Sequence, residues 1–182
     1  MIEVRWHGRG GQGAVTSVEL LAVSAIAAGK FAQGFPSFGP ERRGAPVAAF
    51  TRIADKKINV RSGIYEPDVV LVLDSSLIGL VNVTEGLKPD GTLIVNTHKS
   101  PEDIRKALDY KGTLAIVDGT GIARREMGVP IANTTMIGAL LKVTGIMELD
   151  AMKESIERRF GRIAQKNLSA MKRAYDEIKI YN

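Results

Sequence analysis

Gly8, Gly10, Gly11 and Gly13 crowd into the stretch "HGRGGQGAV" (7–15). It follows a run that alternates Ile2, Val4 and Trp6 with Glu3, Arg5 and His7. It precedes a run with helical apolar spacing at Val15, Val18, Ala22, Ala25 and Ile26, ended by Gly29. A strand, a glycine turn and a helix form an anion site for a physical reason. The first helical amides have no internal acceptor, the helix dipole is positive there, and glycines let a phosphate approach the backbone. Gly8, Gly10 and Gly13 fit G-x-G-x-x-G, but two sharper forms of the motif fail. A dinucleotide site expects an acid about 20 residues further on, and "AGKFAQGFPSF" (28–38) contains none. A Walker A loop needs Lys and Ser/Thr after its last glycine, whereas Ala14 and Val15 follow Gly13. Two readings stay open: a phosphate-bearing ligand of another kind, or close packing of helix on strand.

Other residues could carry chemistry. "FPSFGPERRGAP" (35–46) sets Phe35 and Phe38 on a loop beside Glu41, Arg42 and Arg43. Such a loop suits a partner or a phosphate; the alternative is rings folded into the core and solvated arginines. In "PIANTTM", Asn133 is placed to cap the helix that follows, or to add donors to a ligand site. "DGTG" (118–121) ends a buried run, where α/β ligands bind, and equally reads as a turn. His7 and His98 have no Cys, no H-x-x-x-H and no carboxylate cluster beside them, and both read as structural. No catalytic residue and no metal ligand is predicted.

These residues sit in an alternation of strands and helices. "DVVLVLD" (68–74), "TLIVNT" (92–97) and "TLAIVD" (113–118) are apolar runs of the kind covered on both faces. Ser100 and Pro101 open the helix in "SPEDIRKALDY". An apolar helix follows Asn133, and two helices close the chain, the second striped by Ala164, Leu168, Met171, Tyr175 and Ile178. Val47, Ala49, Thr51 and Ile53, then Ile58 and Val60 across "ADKK", predict an antiparallel hairpin. The sum is an α/β fold: a Rossmann-like three-layer domain spanning 1–182, its mixed sheet mostly parallel with an added hairpin.

Composition excludes several classes. Cysteine is absent, so no disulfide scaffold, thiol nucleophile or Cys-held cluster lies within this chain. No apolar run approaches the ~20 residues of a membrane span, and the N-terminus reads as a strand rather than a leader; a cytoplasmic protein is expected. The net charge of +5 comes with few aromatics, which favours phosphate contacts over nucleic-acid stacking. Neither nucleic acid nor membrane is an expected partner.

"RWHGRGGQGAVTSVELLA", "FPSFGPERRGAPVAAFTRI", "IYEPDVVLVLD" and "IANTTMIGALLKVTG", with "RIAQKNLSAMKRAY" near the end, together resemble the gamma subunit of the pyruvate:ferredoxin oxidoreductases. The likeness runs essentially end to end. It implies one subunit of an enzyme that oxidatively decarboxylates a 2-oxoacid, forms the acyl-coenzyme A and reduces ferredoxin. It implies alpha, beta and delta partner subunits that hold thiamine diphosphate, Mg²⁺ and iron–sulfur clusters, and a chain inert by itself. It implies coenzyme A contacts at Gly10, Gly11, Gln12 and Gly13, at Arg42 or Arg43, at Asn133 and at Asn167. The substrate could be pyruvate or a branched-chain 2-oxoacid whose enzyme shares the subunit. A stand-alone nucleotide-binding protein is the reading from another class.

Overall fold

The computed structural model describes residues 1–37 and 43–182; Phe38, Glu41 and Arg42 lie outside the described residues. In chain order the elements are β1 (Ile2–Arg9), α1 (Ala14–Ala27), β2 (Phe31–Pro36), β3 (Pro46–Ala54), β4 (Val69–Val72), β5 (Thr92–Asn96), α2 (Pro101–Leu108), β6 (Thr113–Val117), α3 (Gly119–Met127), α4 (Asn133–Thr144), α5 (Lys153–Phe160), α6 (Ala164–Glu177) and β7 (Lys179–Tyr181). The strands form one sheet in the order β2-β3-β1-β4-β5-β6-β7. β1, β4, β5 and β6 are parallel neighbours; β2, β3 and β7 add antiparallel pairings at the flanks.

Each central strand is buried on both faces, so its successive residues enter two cores. Val69, Leu71 and Leu73 pack with α1, α4 and α6, while Val70 and Val72 join Leu77, Val83 and Ile104 of α2 on the other side. This is the three-layer arrangement expected from the continuous apolar runs. Trp6 is fully buried and donates its indole N–H to Thr51 Oγ1 at 3.1 Å, which satisfies the polar end of the largest core side chain.

Local signals explain several boundaries. α1 ends as expected at Gly29 (φ +81), with Lys30 N–H bonded to Ala25 C=O and Gly29 N–H to Ile26 C=O, the pattern of a Schellman cap. Ser100 Oγ accepts from Asp103 N–H at the head of α2, behind Pro101.

The expected hairpin is corrected. Ile58 and Val60 belong to no strand; β3 pairs with β1 on one side and forms its hairpin with β2 on the other, with Phe31 opposite Ala54 and Pro36 opposite Ala49. Phe35 therefore lies in an edge strand rather than a loop, 5.4 Å from the Phe50 ring. "FAQGFP" hides its strand because it contains glycine and proline. Gly34 is required where a Cβ would stand 2.7 Å from Val18 Cγ1 of α1, and Pro36 at the end of an edge strand removes no ladder bond.

Candidate functional site

The chain leaves β1 for α1, β2 and β3 on one side of the sheet, then returns to β4 on the other. Ligands of open α/β sheets bind at such a switch point, beyond the carboxyl ends of the strands. A cavity of about 390 Å³ opens there. Gly11 and Gln12 border it after β1, Asp74 after β4, Asn96 and His98 at and after β5, and Asp118 after β6.

The glycine loop is shaped by its neighbours. Gln12 Oε1 accepts from Arg9 N–H at 2.8 Å, and Gln12 Nε2 donates to Asp74 Oδ2 at 2.6 Å. Arg9 Nε lies 3.2 Å from the same carboxylate oxygen, and its guanidinium also donates to Ser76 Oγ. Burial alone would raise the Asp74 pKa. Hydrogen bonds from Ser76 and Gln12, with the Arg9 charge, outweigh that and hold it below the ordinary carboxylate value. Asp74 is thus committed to holding the loop. Asp118 is committed as well: it caps α3 by accepting from Gly121 N–H at 2.8 Å. "DGTG" is therefore a helix start, and Thr120 there exchanges hydrogen bonds with the Asn96 amide.

The strand after the loop's basic segment is pinned alongside. Gly10 N–H donates to Ala45 C=O and Gly44 N–H to Gly10 C=O, at 2.9 and 3.0 Å. Arg43 is exposed, and its Cγ would lie 3.9 Å from a Cβ on Gly11. α1 then begins at Gly13 (φ +82) with no side-chain cap. Among the described residues the amides of Gly11 and Gly13 donate to no protein acceptor.

Of the two roles the sequence leaves open for Asn133, a cap of α4 or donors at a ligand site, the structure corrects the first. Ala132 occupies the cap position without a side-chain bond, and Asn133 is the first helical residue. Its amide packs on Gly13, where any Cβ would collide with it. A helix start that abuts a second helix start has little use for its own cap, because the side chain is spent across the junction. Two uncapped helix N-termini thus meet at the cavity. Asn167 is placed differently. It is 3% exposed, accepts from Thr134 Oγ1 at 2.7 Å and donates to Ile163 C=O at 3.0 Å. It stands behind the start of α4 and does not border the cavity.

Asp74, Asn96 and Thr97, which the sequence did not single out, and His98, which it read as structural, border the cavity and share one signal: each ends a buried parallel strand or follows it within two residues.

His7 is structural in this arrangement. Arg5 Nε donates to His7 Nε2 at 3.0 Å, which requires a neutral imidazole. Burial first, and the Arg5 charge second, push its pKa from 6.5 down to about 4. The unfolded chain therefore takes up the proton first as pH falls. This contribution to stability is complete above about pH 6.5 and is lost toward pH 4, roughly 3–4 kcal/mol in all. Urea titrations of the wild type and His7→Gln across that window should show a flatter profile in the variant.

Residues 3–177 match the family model described as pyruvate ferredoxin/flavodoxin oxidoreductase. The chain belongs to that family. A pyruvate/ketoisovalerate oxidoreductases common subunit gamma from Thermococcus kodakarensis is 52% identical over 183 residues, 100% of this chain and 99% of the relative. The crystal structure of the pyruvate oxidoreductase subunit PORC (EC 1.2.7.1) from Thermotoga maritima superposes with a TM-score of 0.90 at 42% identity, over 100% and 98% of the two chains. This chain is accordingly the gamma subunit of a pyruvate or 2-oxoacid:ferredoxin oxidoreductase. The gamma-subunit fold also recurs, at a TM-score of 0.74 and 20% identity, in a 2-oxoglutarate:ferredoxin oxidoreductase from Magnetococcus marinus solved with 2-oxoglutarate, coenzyme A and succinyl-CoA bound. That match covers 97% of this chain and 30% of the other.

Proposed function

We propose that this gamma subunit, acting as one domain over 1–182, binds the phosphorylated part of coenzyme A for an enzyme that oxidises pyruvate to acetyl-CoA and CO₂. The observation that carries the reading is the meeting of two uncapped helix starts at the switch-point cavity, where Gly11 and Gly13 have amides with no acceptor among the described residues. That donor set suits a pyrophosphate. The residues fit the group: Gly11 and Gly13 would offer their amides, Gly10, whose N–H is bonded to Ala45 C=O, would shape the loop, Arg43 or Arg42 would neutralise a phosphate, and Asn133 would add amide donors. Gln12 holds the loop, and Asn167 supports α4 from behind. A cavity of about 390 Å³ holds part of coenzyme A, so its thiol end reaches out toward the subunits that carry thiamine diphosphate, Mg²⁺ and the iron–sulfur clusters. When bound, coenzyme A supplies the thiol that accepts the acyl group; this chain's residues bind and orient it. The fold neighbour with coenzyme A bound supports the ligand class.

In this reading the alpha, beta and delta subunits complete the enzyme, ferredoxin takes its electrons, and the isolated chain is inert and cytoplasmic. A second reading has a specific support: the Thermococcus relative is a subunit common to pyruvate and ketoisovalerate enzymes. Co-purification from the native host, with both 2-oxoacids assayed, separates a dedicated subunit from a shared one.

The test of the site is kinetic. Arg43→Gln and Gly13→Val, in the assembled enzyme, should each raise the KM for coenzyme A by about tenfold or more, the usual effect of losing a charge-assisted bond or its backbone cradle. An unchanged KM for coenzyme A in intact complexes of both variants would refute the site.

A further inference from the structure

The outer face of α1 lacks the polar surface a solvent-facing helix carries. Its fourteen residues include one charge, Glu19, and apolar side chains occupy its whole circumference. Leu21 and Ala25 are buried beneath it, while Val23 is 42% and Ile26 56% exposed. A helix apolar all round is a helix meant to be covered all round.

α5 runs beside it, antiparallel. Thr16, Leu20 and Val23 share a groove of about 320 Å³ with Arg158 and Arg159 at the end of α5. Ala27 and Ala28 border Lys153 and Glu154 at its start. Ser24 Oγ and Ser155 Oγ, 2.5 Å apart, lock the pair together. Within the groove Arg158 and Arg159 outnumber Glu19, so it is basic; the acidic Asp150, Glu154 and Glu157 border a separate pocket on another face of α5. Among the described residues neither Arg158 nor Arg159 has a carboxylate within ion-pair distance.

We propose that the α1–α5 groove is the docking surface for a helix of another subunit of the oxidoreductase, one with an apolar stripe over Val23 and Ile26 and carboxylates over Arg158 and Arg159. The apolar stripe supplies the burial, and the carboxylates complement the two arginines that have no carboxylate partner among the described residues. The inference rests on the chain working within a multisubunit assembly, and it adds the surface and the chemistry of the contact. The groove lies on a side of α1 that does not border the ligand cavity, so assembly and ligand binding can be read separately.

The experiment uses the co-expressed oxidoreductase. A photo-cross-linking side chain at Val23 should join this chain to a different subunit. The double variant Val23→Lys/Ile26→Lys, whose positions are exposed and helix-compatible, should lower incorporation into the complex by about tenfold, as for loss of a central interface contact. Arg158→Glu/Arg159→Glu should lower it as well, while the thermal unfolding of each free variant chain matches the wild type. Cross-links only between copies of this chain, or full incorporation of both variants, overturn the inference. A wild-type chain that assembles with no other subunit overturns the proposed function with it.

Discussion

Replacing Arg52 by methionine should lower the unfolding free energy by about 3–5 kcal/mol, the range for breaking a buried ion pair from one side. Arg52 is 1% exposed in the middle of β3, on the face that alternation with Thr51 and Ile53 would leave to solvent. Its guanidinium donates to Glu3 Oε1 at 2.6 Å, to Gly63 C=O at 3.0 Å and to Gln33 Oε1 at 3.4 Å, and lies 5.5 Å from the centre of the Phe35 ring. One side chain therefore ties β1, β2, β3 and the irregular segment after β3 together. Methionine fills much of the space and supplies no donor, so Glu3 and the Gly63 carbonyl lose their partner in a place water reaches poorly. The double variant Arg52→Met/Glu3→Leu should recover part of the loss, because it removes both charges rather than stranding one. Urea unfolding of the four proteins of this cycle measures it. Equal loss in the single and double variants would mean that the Gly63 contact, not the ion pair, carries the energy.

The same residue shows why the sequence misleads around it. Ile58 and Val60 alternate with polar residues just as a hairpin's second strand would, and "ADKK" resembles its turn. The long side chains decide otherwise: Arg52 takes the Gly63 carbonyl and Gln33 Nε2 takes the Val60 carbonyl at 3.1 Å, so this backbone is held by side chains and not by a ladder. Alternation cannot report such bonds, since they depend on which strand is the neighbour. The central strands were legible because burial on both faces leaves an unbroken apolar run, a property of the residues themselves. The glycine loop was legible for a similar reason: its freedom is local. Asn133 was misjudged as a cap because a cap is inferred from the chain next to it, while its real neighbour, Gly13, is 120 positions away in sequence. The cavity wall at Asp74, Asn96 and Asp118 becomes visible only when the strand order is known.

Gly138→Val should be nearly as damaging as the Arg52 change, at about 4 kcal/mol. Overpacking a core usually costs roughly 1–3 kcal/mol because side chains yield. Here the obstacle is backbone: a Cβ on Gly138, in the middle of α4, would fall on the Met171 carbonyl of α6. Nothing short of separating the two helices relieves that overlap, and both helices pack into the same core as α1 and β1. The unfolding temperature should fall by about 10 °C or more for a chain of this size, with Gly138→Ala intermediate. The consequence for function follows from the same geometry. Thr134 Oγ1 donates to Asn167 of α6, and Asn133 beside it packs on Gly13. Moving α4 off α6 therefore strains the Thr134–Asn167 bond and shifts Asn133 on the glycine loop. In complexes that still assemble, Gly138→Ala should raise the KM for coenzyme A while leaving the KM for the 2-oxoacid alone. Equal changes in both constants would mean that the substitution loosens the whole enzyme and that the α4–α6 contact does not set the position of Asn133.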